Sequence, residues 1–72
     1  MITNTHTPYP TTTDAPEWLE WARANYATSY AASTLVECYT KTELQAKLNE
    51  GLAEFCETLE VLDDMHADVC NA

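Results

Sequence analysis

After Pro16 this chain of 72 residues contains no further proline and a single glycine, Gly51. β-rich folds reverse direction every few residues, and their turns draw on glycine and proline for conformations that other residues resist. A long stretch with one such residue is expected to be all-α. Two start signals place the helices. Asp14-Ala15-Pro16-Glu17 offers an N-cap acceptor, a first-turn proline and a glutamate at the third helical position. Thr40-Lys41-Thr42-Glu43 has a capping-box spacing as well. The first helix is predicted from Ala15 to at least Ala31 and on through Val36 to Cys38. Ser33-Thr34 is the place for a kink, because hydroxyls offer the backbone local alternatives. The second helix is predicted from Lys41 or Thr42 to Asp68, with Gly51 inside it at a cost of about 1 kcal/mol relative to alanine, where it permits a close helix crossing or a slight bend. The expected architecture is therefore two long helices in a helical hairpin over residues 14–72. A flexible Thr/Pro-rich arm, residues 1–13, precedes it. Pro8 and Pro10 exclude a helix in that arm, and Tyr9 between them reads as a tail residue or a docking residue.

The apolar faces set the expected assembly. On a helical wheel Trp18, Ala22, Ser29 and Val36 share one stripe of the first helix. Leu19, Tyr26 and Tyr30 flank it on one side, and Trp21, Leu35 and Tyr39 on the other. The arc spans about 220°, against the roughly 100° that one neighbour covers. In the second helix Leu48, Leu52, Phe55, Leu59, Leu62 and Val69 recur at steps of three and four, with His66 at a seam position. The second helix covers about half of the first helix's arc. Homodimerisation into a four-helix arrangement is the expected cover for the remainder. The predicted core and dimer set is Trp18, Leu19, Ala22, Tyr26, Leu48, Leu52, Phe55, Leu59 and Leu62. Trp21, Leu35, Tyr39, Arg23 and Tyr30 form the candidate partner-binding set, aromatic and arginine side chains being common interface anchors. Tyr39, at the predicted tip, either anchors a partner or caps the end of the core.

Twelve acidic residues against three basic ones give a formal charge of -9. That balance disfavours direct contact with nucleic acid or with anionic membranes. Beyond Lys47 the second helix has no cation, while Glu50, Glu54, Glu57, Glu60, Asp63, Asp64 and Asp68 accumulate away from its seam. A solvated outer face is the plain explanation, and a stripe for a basic groove is the sharper one. The latter gains from acids near a helix C-terminus, which oppose the helix dipole.

Little in the chain suggests chemistry. Cys38, Cys56 and Cys70 are odd in number and far apart, which points to reduced thiols and a cytoplasmic location, as does the lack of a signal-peptide pattern at the start. His66 and Cys70 lie one helical turn apart, but Cys56 is about 15 Å away along the same helix, so no metal is expected. There is no glycine-rich phosphate loop or nucleophile elbow, and a hairpin encloses no substrate pocket. We expect no cofactor and no enzymatic activity.

The segments DAPEWLEWARANYATSYAASTLVEC, TKTEL and GLAEFCETLEVLDDM together resemble the phage-encoded quorum-sensing anti-activators. The resemblance covers nearly the whole chain after the arm and rests on overall pattern, without a diagnostic motif. It implies a small helical dimer that binds and inactivates a LuxR-type transcription regulator in the host bacterial cytosol, with a type IV pilus assembly ATPase as a further target. The alternative, from the charge, is an acidic nucleic-acid mimic acting against CRISPR or restriction systems. A dimerisation module without a separate target is a third reading.

Overall fold

The computed structural model describes residues 8–71, with side chains followed to Val69; His6 and the rest of the first seven residues lie outside it, as does the Cys70 side chain. Every regular element among the described residues is a helix: α1 (Ala15–Asn25), α2 (Tyr30–Cys38), α3 (Lys41–Glu50) and α4 (Leu52–Asn71). The all-α expectation holds. The two long helices do not, because each is broken once.

The first break falls at Tyr26–Ser29, ahead of the expected kink at Ser33-Thr34. Asn25 is buried, and its Nδ2 donates back to the Trp21 carbonyl at 2.8 Å. Its own carbonyl accepts from the backbone N–H groups of Thr28 and Ser29, which closes α1 in a tight turn. Ser29, in extended backbone, then starts α2 by accepting the Ala32 N–H on its hydroxyl. Asp63 of α4 completes this start. Its Oδ1 accepts the Ala31 N–H at 2.9 Å, and Oδ1 and Oδ2 both receive the Ser29 hydroxyl. A helix N-terminus leaves N–H groups without intrahelical partners and carries partial positive charge, so a carboxylate there is doubly favoured. Ser33 and Thr34 remain helical, with the Thr34 hydroxyl donating to the Tyr30 carbonyl.

The second break is Gly51, whose extended backbone ends α3, while its carbonyl accepts the Phe55 N–H that opens α4. The capping box at Thr40 forms as expected. The Thr40 hydroxyl accepts the Glu43 N–H at 3.1 Å, and the Glu43 carboxylate accepts the Thr40 N–H at 3.0 Å. Hydrogen bonding from Thr40 to the carboxylate, its backbone N–H first and its side chain second, holds the Glu43 carboxyl below its usual value. The other expected cap differs: Asp14 makes no side-chain cap. Gln45 of α3 takes its place, its Oε1 accepting the Ala15 N–H at 3.1 Å and its Nε2 donating to the Thr13 carbonyl at 2.7 Å.

The four helices among the described residues enclose one core. α1 packs on α2 and α3, and α4 closes the ring against α2 and α3. Trp18, Leu35, Leu44 and Leu48 are fully buried at the centre, and Ala15, Ala22, Ala31 and Ala32 allow close helix approach. The arm adds a further layer. Tyr9 lies against Trp18 (centroids 6.0 Å) and Trp21 (5.1 Å), Trp18 meets Phe55 edge-to-face at 5.3 Å, and the Trp18 Nε1 donates to the Thr12 carbonyl at 2.7 Å. Most of the wide apolar arc that pointed to a second protomer is therefore covered within the chain, with Tyr26 and Tyr30 left exposed. Its covers are the arm and the other three helices, and α2 carries part of the arc off at a new angle.

Candidate functional site

With most of that arc internal, the candidate partner-binding residues separate. Trp21 is 7% exposed beneath Tyr9, and Leu35 is fully buried. Neither lies on a free flank, and the turn at Tyr26–Ser29 separates them. Arg23 is exposed near the end of α1. Tyr30 is exposed at the start of α2 and stacks nearly parallel on His66 of α4, centroids 4.4 Å apart. Tyr39 is half-buried at the α2–α3 junction. The structure thus brings Leu35 and Tyr39 together, gives Tyr30 to His66, and leaves Arg23 apart. Among the predicted core residues Trp18, Ala22, Leu48, Phe55 and Leu59 are buried, and Leu19, Leu52 and Leu62 pack partly against them. Tyr26 is the exception: it sits in the turn at 53% exposure.

Tyr39 and Leu35 line a groove of about 170 Å³ with Phe55, Leu59 and Leu62 of α4 and with Lys47 at the α3 end. Enclosed small-molecule sites run to several hundred Å³, so this is a slot for side chains. It leads onto the outer half of α4. This helix has 20 residues, about 30 Å, and nearly spans the 35 Å long axis of the molecule. On its outward side Val61, Met65 and Val69 stand at 49, 60 and 76% exposure. Spaced i, i+4, i+8, they fall within about 80° of helix circumference, beside Leu62. The groove and this stripe share one side of α4.

Charge borders the stripe asymmetrically. Glu57, Asp64 and Asp68, all exposed, follow its outer edge, Glu54 stands in the groove lining, and α4 carries no Lys or Arg. Tyr30 on His66 marks the bundle edge. Asp63, grouped with the outward acids by the heptad pattern, is instead bonded to the start of α2. On the opposite side of α4, burial pushes the Tyr9 hydroxyl up to about 12, and the nearby acids Asp63 and Glu60 add to the effect. Burial, then Glu60, likewise raises the Cys56 thiol. Both shifts favour the neutral forms, which suits packing groups.

Val61 and Met65 were missed by sequence reasoning. Their spacing with Val69 is legible, but it lies off the a/d seam, and the heptad frame treated that side as solvated. Among the described residues no three His, Cys, Asp or Glu side chains converge as a metal set, and no helix is long and apolar enough to cross a membrane.

Fold and surface define a small all-α protein with one exposed apolar helix face bordered by acids. Comparison with protein-family models, curated proteins and solved structures finds no match to this chain.

Proposed function

We propose that this protein acts by binding another protein, as a small inhibitor of a bacterial regulator, and is not an enzyme. The observation that carries this is the unpartnered side of α4, where Val61, Met65 and Val69 continue the groove at Tyr39. Large exposed apolar side chains gathered on one side of a small domain mark interaction surfaces. The likeness in sequence pattern to quorum-sensing anti-activators makes a LuxR-type transcription regulator the first target, with a pilus assembly ATPase the second. The direct test mixes the purified chain with such a regulator in a sizing experiment and an operator-binding assay. Co-migration and loss of operator binding are expected. Separate migration at micromolar concentrations of both would end that assignment.

The acidic border favours a second reading, in which α4 imitates nucleic-acid charge and occupies a basic groove. Binding would then collapse with added salt, as contacts with polyelectrolytes do. Self-association into a larger helical bundle competes for the same face. A C2 pairing across it would set Glu57, Asp64 and Asp68 of each copy near those of the other, between chains that each carry -9. Sedimentation at several concentrations distinguishes it.

A further inference from the structure

The occupant of the α4 face can be specified more closely. Resting on the reading of this chain as a protein-binding inhibitor, we infer that the face receives a basic amphipathic helix from a partner protein. Such a helix lays its apolar side along Leu62, Val61, Met65 and Val69 and sets its lysines or arginines against Glu57, Asp64 and Asp68.

Three features carry this. The first is shape: Val61 to Val69 is a straight stripe about 12 Å long that enters the groove at Leu62. It is long enough to take two turns of a docked helix, whose own anchors fall at i, i+3 or i+4, and i+7. The second is side-chain type. Val61, Met65 and Val69 carry no polar group to be satisfied, and methionine adapts its shape to what it meets. The third is charge. The outer edge is acidic along its whole length, α4 has no cation, and Lys47 stands at the far end of the groove. A neutral helix leaves that edge without partners, and an acidic one is repelled. A second copy of this chain would bring the same acids with it. A basic helix alone satisfies both the stripe and its border.

The probe is an 18-residue Leu/Lys peptide with its leucines on one helical face. The control has the same composition with the leucines dispersed, so that it has equal charge and no stripe. Affinities for the full chain are measured by titration at low and moderate salt. The face-forming peptide should bind about tenfold more tightly than the dispersed one. Met65→Ser with Val69→Ser should abolish that preference, and Glu57→Lys with Asp64→Lys should weaken binding while increasing sensitivity to the loss of the stripe. All four side chains are exposed, so unchanged circular dichroism is expected. Equal binding of the two peptides, or indifference to Met65→Ser with Val69→Ser, overturns the inference in favour of a purely acidic surface. A dimer that those serine variants dissolve overturns it in favour of a second copy. The two readings fail separately: if the regulator is captured but the serine variants bind it unchanged, inhibition stands and this face is not its seat, whereas a peptide preference without capture of the regulator leaves the face and ends that assignment.

Discussion

Asp63 sits 34 positions after Ser29 and 32 after Ala31, yet its carboxylate receives hydrogen from both. Replacing it with alanine removes two acceptor contacts and a favourable charge from the start of α2. Asp63→Ala is expected to cost about 1–2 kcal/mol. That corresponds to a fall of roughly 5–10 °C in thermal midpoint for a domain this small. Asp64→Ala, one position on and exposed, should stay within about 0.5 kcal/mol of the parent. Tyr9 makes a second residue-scale prediction. Its raised pKa of about 12 means that the neutral phenol is favoured in the folded state. Its contribution to holding the arm is fully present below the ordinary tyrosine value, near 10, and is lost as pH rises through about 12. A phenolate absorbance titration should show a late ionisation near pH 12 that Tyr9→Phe removes. An unchanged profile in Tyr9→Phe would show that the arm is not docked on Trp18 and Trp21. Little of this was readable in advance. Asp63 looks like one acid among seven, and the Pro8-Tyr9-Pro10 segment has no local feature that announces its place on two tryptophans.

At the scale of elements, what was legible was what is local. The capping box at Thr40 lies within four residues and formed as its spacing predicts. The scarcity of glycine and proline implied helices, and helices are present. The two breaks were misjudged for different reasons. At Asn25–Ser29 the alternative to a continuous helix draws on Asp63, and no window along the sequence contains both ends of that contact. At Gly51 the residue was visible, but one glycine was weighed as a small penalty against a long apolar periodicity. α3 and α4 instead meet at Gly51, whose extended backbone ends one helix before the other begins. The heptad frame hid Val61 and Met65 because both lie off the seam that Leu52, Phe55, Leu59 and Leu62 do form. Gly51 adopts φ 166°, ordinary extended backbone, and an added Cβ would meet only the Glu54 side chain at 3.8 Å. Gly51→Ser therefore adds an N-cap acceptor three residues before Glu54 without strain. It should stabilise by a few tenths of a kcal/mol up to about 1 kcal/mol, through the cap and a less flexible unfolded chain. Urea denaturation would measure it. A loss of stability would show that the junction needs the bare backbone.

For the whole molecule the dominant force beyond packing is its own charge. A net -9 on 72 residues makes the compact state self-repelling, and salt screens that repulsion over about 10 Å at 0.1 M. Raising sodium chloride from low concentration should therefore raise the thermal midpoint of the free protein. A midpoint that falls with salt would mean that favourable ion contacts outweigh the repulsion. The same screening should weaken capture of a basic partner. Stability and binding are thus expected to move in opposite directions along one salt titration, and that divergence is itself a signature of the acidic border on α4.

Gln45 closes the beginning of α1, and Asp63 closes the beginning of α2. Each helix of the first half is thus started with help from a side chain of the second half, while the second half, whose own caps are local, relies on the first to cover Leu44, Leu48, Phe55 and Leu59. A chain severed between Tyr39 and Thr40 should give two peptides that are nearly coil when alone and gain helicity together on mixing. Such mutual dependence would make the protein a natural split reporter, silent until its two pieces are brought within reach of each other.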